Sequence, residues 1–72
     1  MREVATEIAG SVWKIECQVG DRVEVDQVLM ILESMKMEIP IEATAVGMVA
    51  EVLVSEGDQV SEDDPVALLE TA

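Results

Sequence analysis

Apolar and polar residues alternate along much of this chain. Trp13, Ile15, Cys17 and Val19 alternate with Lys14, Glu16 and Gln18, a period of two that predicts a strand with one buried face. In that phase Trp13 lies in the core, Cys17 is a small core hydrophobe, and Lys14 is in solvent. The turn dipeptide Gly20-Asp21 ends the stretch. Short apolar runs follow, first Val23 and Val25, then Val28-Leu29-Met30-Ile31-Leu32. The order then recurs with Gly57-Asp58, Val60 and Val66-Ala67-Leu68-Leu69.

The recurrence is an ungapped internal repeat. Gly10 and Gly47, 37 positions apart, begin a series of identities at that offset. Val12 and Val49, Gly20 and Gly57, Asp21 and Asp58, Val23 and Val60, Asp26 and Asp63, Leu32 and Leu69, and Glu33 and Glu70 continue it. Two copies are too few for a solenoid, so the expectation is two interlocking halves related by a pseudo-two-fold axis. Asp26 and Asp63 occupy matching tight-turn positions, since Asp tolerates left-handed backbone. Cys17 corresponds to Val54, so the second half manages without sulfur there. Many short strands with regular turn signals indicate an all-β sandwich or small barrel.

One stretch conflicts with this reading. Val28 to Met37 is rich in good helix formers, and Val28, Ile31, Leu32 and Met35 fit a helical stripe. Pro40 would stop a helix nearby, and the second copy of the stretch is β-rich, contains Pro65 and ends at Ala72. The stretch is therefore assigned to strands, with the joint between halves at Met35-Lys36. If the strands ending at Ser34 and starting at Met37 pair directly, Met35-Lys36 is a two-residue hairpin tip. Such tips favour Gly, Asn or Asp, and a local rule broken at an exposed tip points to function.

Composition narrows the function. A chain of 72 residues is expected to be one domain, residues 1–72, with strand-favouring Val and Ile prominent in its core. Sixteen acidic residues against four basic ones give a net charge of −12, which repels nucleic acid and anionic membranes and suits basic partners. Histidine is absent, which removes the commonest general base and metal ligand. An independent enzyme is not expected, and no metal site is assigned. Cys17 is the single cysteine, so no internal disulfide forms. With neither a signal peptide nor a membrane-length apolar run, the expected location is cytoplasmic.

Glu33-Ser34-Met35-Lys36-Met37-Glu38, preceded by Gly20-Asp21-Arg22-Val23 and followed by Gly47-Met48-Val49 and Gly57-Asp58-Gln59-Val60, resembles the biotin and lipoyl attachment domains over nearly the whole chain. Met35-Lys36-Met37 looks like the Met-Lys-Met signature of biotin carriers, and the nearest likeness is to stand-alone biotinylated proteins of bacteria. The resemblance implies a flattened barrel of two four-stranded antiparallel sheets, a barrel-sandwich hybrid, with the modified lysine on a hairpin tip. Cys17-Gln18-Val19 runs straight into Gly20-Asp21, without the thumb-like insertion of some acetyl-CoA carboxylase carriers. Ser34 stands where the biotin carriers most often have Ala, and Asp26 and Asp63 where many members have Gly. No Pro/Ala-rich linker precedes the motif, so docking is expected to use the domain itself or another subunit.

By the same resemblance Lys36 carries covalent biotin, Met35 and Met37 shape the surface around it, and Glu33, Ser34 and Glu38 are read by a biotin protein ligase. The implied partners are that ligase, a biotin carboxylase and a carboxyltransferase. A solvated lysine is an ammonium at neutral pH, so the ligase has to supply an activated acyl group and remove the proton. A lipoyl carrier would use the same fold and lysine, though its tip is usually Asp-Lys-Ala. An unmodified acidic interaction domain is the third reading.

Overall fold

Eight strands follow the turn signals in order: β1 (Arg2–Ala5), β2 (Gly10–Ile15), β3 (Arg22–Val23), β4 (Val28–Ser34), β5 (Met37–Glu42), β6 (Gly47–Val52), β7 (Gln59–Val60) and β8 (Pro65–Glu70). They were obtained from a computed structural model that describes residues 1–71. Ala72, where the sequence reading ends the second copy, lies outside the described residues. One sheet has the order β1-β8-β6-β3 and the other β5-β4-β2-β7, with every pairing antiparallel. Val28–Ser34 is extended rather than helical, and Met35-Lys36 is the turn into β5. Strand pairing on both sides of β4 overrides its helix propensity.

The two halves interlock as the repeat implies. β1 is hydrogen-bonded in the sheet of β6 and β8, and β7 in the sheet of β2 and β4. The irregularity between Val12 and Lys14 in β2 recurs between Val49 and Glu51 in β6. Gly20 N donates to Val49 O at 2.8 Å and Gly57 N to Val12 O at 2.7 Å, stitching each half's turn to the other half's strand. Asp21 Oδ2 accepts from Gln18 N and Asp58 Oδ2 from Ser55 N, both at 2.9 Å. Asp26 and Asp63 each have φ 70°, the left-handed backbone expected of them.

Gly10 and Gly47 have a role that their recurrence alone does not state. A Cβ at Gly10 would lie 2.7 Å from Glu33 O, and one at Gly47 2.5 Å from Glu70 O. Each glycine thus lets β2 or β6 approach the end of its neighbouring strand.

The extents of 36 × 17 × 17 Å leave space for one layer of side chains from each sheet, at the usual spacing of about 10 Å. Val4, Val12, Val23, Leu29, Leu32, Val49, Val66 and Leu69 fill it, each at most 2% exposed. Cys17 is buried in this cluster as expected. Burial raises its thiol pKa, the negative charge of Asp21 adds to this, and a backbone hydrogen bond opposes both. A thiol whose pKa is higher folded than unfolded contributes stability below the unfolded value and loses it as pH rises through the folded one. Chemical denaturation is expected to show stability declining above about pH 8.5, and Cys17→Val is expected to lessen that decline.

Trp13 corrects the sequence reading: it is 49% exposed. The extra residue at the bulge changes the phase of β2. Val12 points inward, Trp13 outward, and the inward alternation resumes at half-buried Ile15. The strand ends at Ile15, and Val19 falls in the turn, exposed. Val25 is likewise exposed, in the loop after β3. Burial of the indole would have made Trp13→Ala cost about 3–5 kcal/mol. With the ring at the surface, the expected cost in denaturant titration is below about 1 kcal/mol, and iodide is expected to quench the folded protein's fluorescence.

Candidate functional site

β4 and β5 pair in register through Leu32–Ile39, Glu33–Glu38 and Ser34–Met37. Met35 and Lys36 are left as the two-residue connection. Their φ angles are 51° and 65°, so both residues of the turn are left-handed, as a type I′ hairpin requires. Neither is a residue that the turn favours. The strain is held in place from below: Leu32 is fully buried, and Gly10 allows β2 to close on the Glu33 carbonyl.

Met35→Gly removes one Cβ from left-handed backbone and is expected to leave stability unchanged or raise it by up to about 1 kcal/mol in denaturant titration. The native methionine thus sacrifices local preference for what its side chain presents. Met35 is 92% exposed and Met37 63%, and Lys36 between them is exposed. Among the described residues Lys36 makes no ion pair, whereas Lys14 lies 3.6 Å from Glu16 Oε1.

Glu33 and Glu38 are directly opposed across the hairpin and both exposed. Like charges in that relation are destabilising. Glu70 repeats Glu33, but the residue equivalent to Glu38 is Met1. The repulsive pair therefore belongs to the half that carries the lysine. Ser34 is half-buried beside the tip. All six residues singled out in the sequence lie on this one hairpin.

The arrangement offers an amine and little else. Lys36 is exposed on a two-residue turn, flanked by thioether chains that adapt to varied surfaces. Such a lysine fits a group held by an amide on its Nζ, since nothing at the tip needs to be displaced.

Residues 2–69 match the family described as biotin-requiring enzyme. The chain is 51% identical over 61 residues to the "Biotin/lipoyl attachment protein" of Bacillus subtilis, covering 85% of this chain and 84% of that protein. It is 42% identical over 67 residues to the "Biotinylated protein TB7.3 homolog" of Mycobacterium leprae, covering 93% and 94%. Among solved structures, the Kluyveromyces lactis urea carboxylase superposes with a TM-score of 0.91 at 36% identity, over 96% of this chain and 6% of that one. Sequence, fold and exposed hairpin lysine agree: the chain belongs to the biotin/lipoyl attachment family, whose description is biotin-requiring.

Proposed function

We propose that this protein is a biotin carboxyl carrier, modified on Lys36 by a biotin protein ligase and serving a biotin carboxylase and a carboxyltransferase in turn. The observation that carries the reading is Lys36 itself, exposed on a strained type I′ tip between two exposed methionines. Attachment forms an amide between Nζ and the carboxyl carbon of biotin activated by ATP as an acyl adenylate: the acyl–phosphate bond breaks, AMP leaves, and the lysine ammonium gives up two of its three protons and its charge. Biotin, when bound, supplies the group that accepts and releases the carboxyl unit. The protein's residues supply the rest. Lys36 provides a long stem, the turn sets its direction, and the packed sheets keep its base fixed while the stem swings. Glu33 and Glu38 give a ligase an acidic pair to match with basic side chains. The protein contributes no catalytic residue to either half-reaction.

The name of the Bacillus subtilis relative includes lipoyl as well as biotin, so the lipoyl reading remains the competitor. Parallel incubations with ATP separate the two, one with a biotin protein ligase and biotin, the other with a lipoate ligase and lipoate. Intact mass is expected to show one biotinyl group gained in the first and no gain in the second. Lipoylation without biotinylation would overturn the proposal.

A further inference from the structure

The geometry points to a docking groove between β1 and β5: we propose that it takes an extended segment of a partner protein in which apolar and basic residues alternate, held apart from the Lys36 tip. β1 and β5 are the edge strands of the two sheets, and between them runs a groove of about 400 Å³. Val25, Ile39 and Pro40 contribute apolar surface. Glu7, Asp26 and Glu42 add carboxylates, and among the described residues no basic one lines the groove.

The internal repeat provides a control that few proteins offer. The residues equivalent to Val25, Ile39 and Pro40 are Glu62, Arg2 and Glu3. In each of these equivalent pairs one residue is apolar and the other charged, so the fold does not demand the apolar set. Val25 is 52% exposed and contributes little to the core. An apolar strip whose repeat equivalents are all charged, with carboxylates in the same groove lining, matches a partner that brings both apolar and basic side chains.

A second copy of this chain fits poorly. Two molecules of charge −12 repel each other, and Pro40 withholds a backbone donor from the β5 edge, which discourages edge-to-edge pairing. The groove begins at Ile39, three residues from Lys36, or about 10 Å along a strand. A docked partner therefore leaves the lysine tip free to move.

The test is an NMR titration of the isotopically labelled protein at about 0.15 M salt, where weak surface attraction is screened. The probes are an eight-residue capped peptide alternating lysine and valine and a matching peptide alternating lysine and serine. Shifts with the first are expected to concentrate at Val25, Asp26, Ile39 and Glu42, with the second binding at least about tenfold more weakly. Val25→Glu, which installs the residue that the other half already accommodates, is expected to weaken binding by a similar factor without unfolding the protein. Lys36→Arg is expected to bind as the unsubstituted chain does, which keeps this result independent of the carrier reading. Absence of binding, equal binding of the two peptides, shifts spread over the acidic surface, or indifference to Val25→Glu would each overturn the proposal.

Discussion

Lys36→Arg is expected to abolish biotin uptake while leaving the fold intact. The guanidinium stays protonated and cannot be acylated under conditions in which a lysine amine can. Lys36 is exposed and among the described residues makes no ion pair, so its replacement should change stability by less than about 0.5 kcal/mol. Thermal melting and uptake of labelled biotin in the presence of ligase and ATP read the two effects separately. Lys14 is the internal control. It too is an exposed lysine, but it lies within β2 beside Glu16, away from any turn. Uptake that survived in Lys36→Arg and disappeared in Lys14→Arg would place the attachment on the wrong strand.

Leu32→Ala is expected to have the largest effect on stability. Leu32 is fully buried and stands between Val12 on β2 and Ile39 on β5, three residues before Met35, where the turn begins. Truncating such a side chain costs about 2–5 kcal/mol, a large share of the roughly 5–15 kcal/mol that stabilises a typical domain. For a chain of this size the melting temperature should fall by more than about 8 °C. Leu69→Ala separates stability from function. Leu69 is the repeat equivalent, equally buried, and it supports a strand end without a lysine. Both variants should melt early, and at temperatures where both remain folded, only Leu32→Ala should slow biotinylation. Equal rates would mean that the core beneath the tip does not help to present it.

Much of this structure was legible because the chain contains its own comparison. The recurrence of Gly20-Asp21 at Gly57-Asp58 and of Asp26 at Asp63 identified turns whose angles agree between halves to within a few degrees. It also settled the assignment of Val28 to Met37, where local propensity pointed to a helix. The tip was legible because Met35 and Lys36 violate the preferences of a two-residue hairpin, and both adopt the left-handed backbone that such a turn requires.

Trp13 was misread because a bulge inserts one residue without leaving any mark in the period-two pattern. The alternation looks continuous from Trp13 to Val19, yet the phase slips after Val12. The close approach at Gly10 and Gly47 had a signal, glycine at both equivalent positions, but the carbonyl that it meets belongs to a strand more than twenty residues away. The groove had no local signal. It depends on β1 and β5, remote in sequence, closing the same side of two sheets, and its meaning comes from comparing Val25, Ile39 and Pro40 with Glu62, Arg2 and Glu3.

The most direct test of the carrier account is peptide mapping by mass spectrometry of this protein isolated from its own cells. The expected result is one biotinyl group, located on Lys36, with Lys14 unmodified. A lipoyl group at Lys36, biotin at Lys14, or a chain that stays unmodified even after incubation with biotin, ATP and a competent ligase would contradict it.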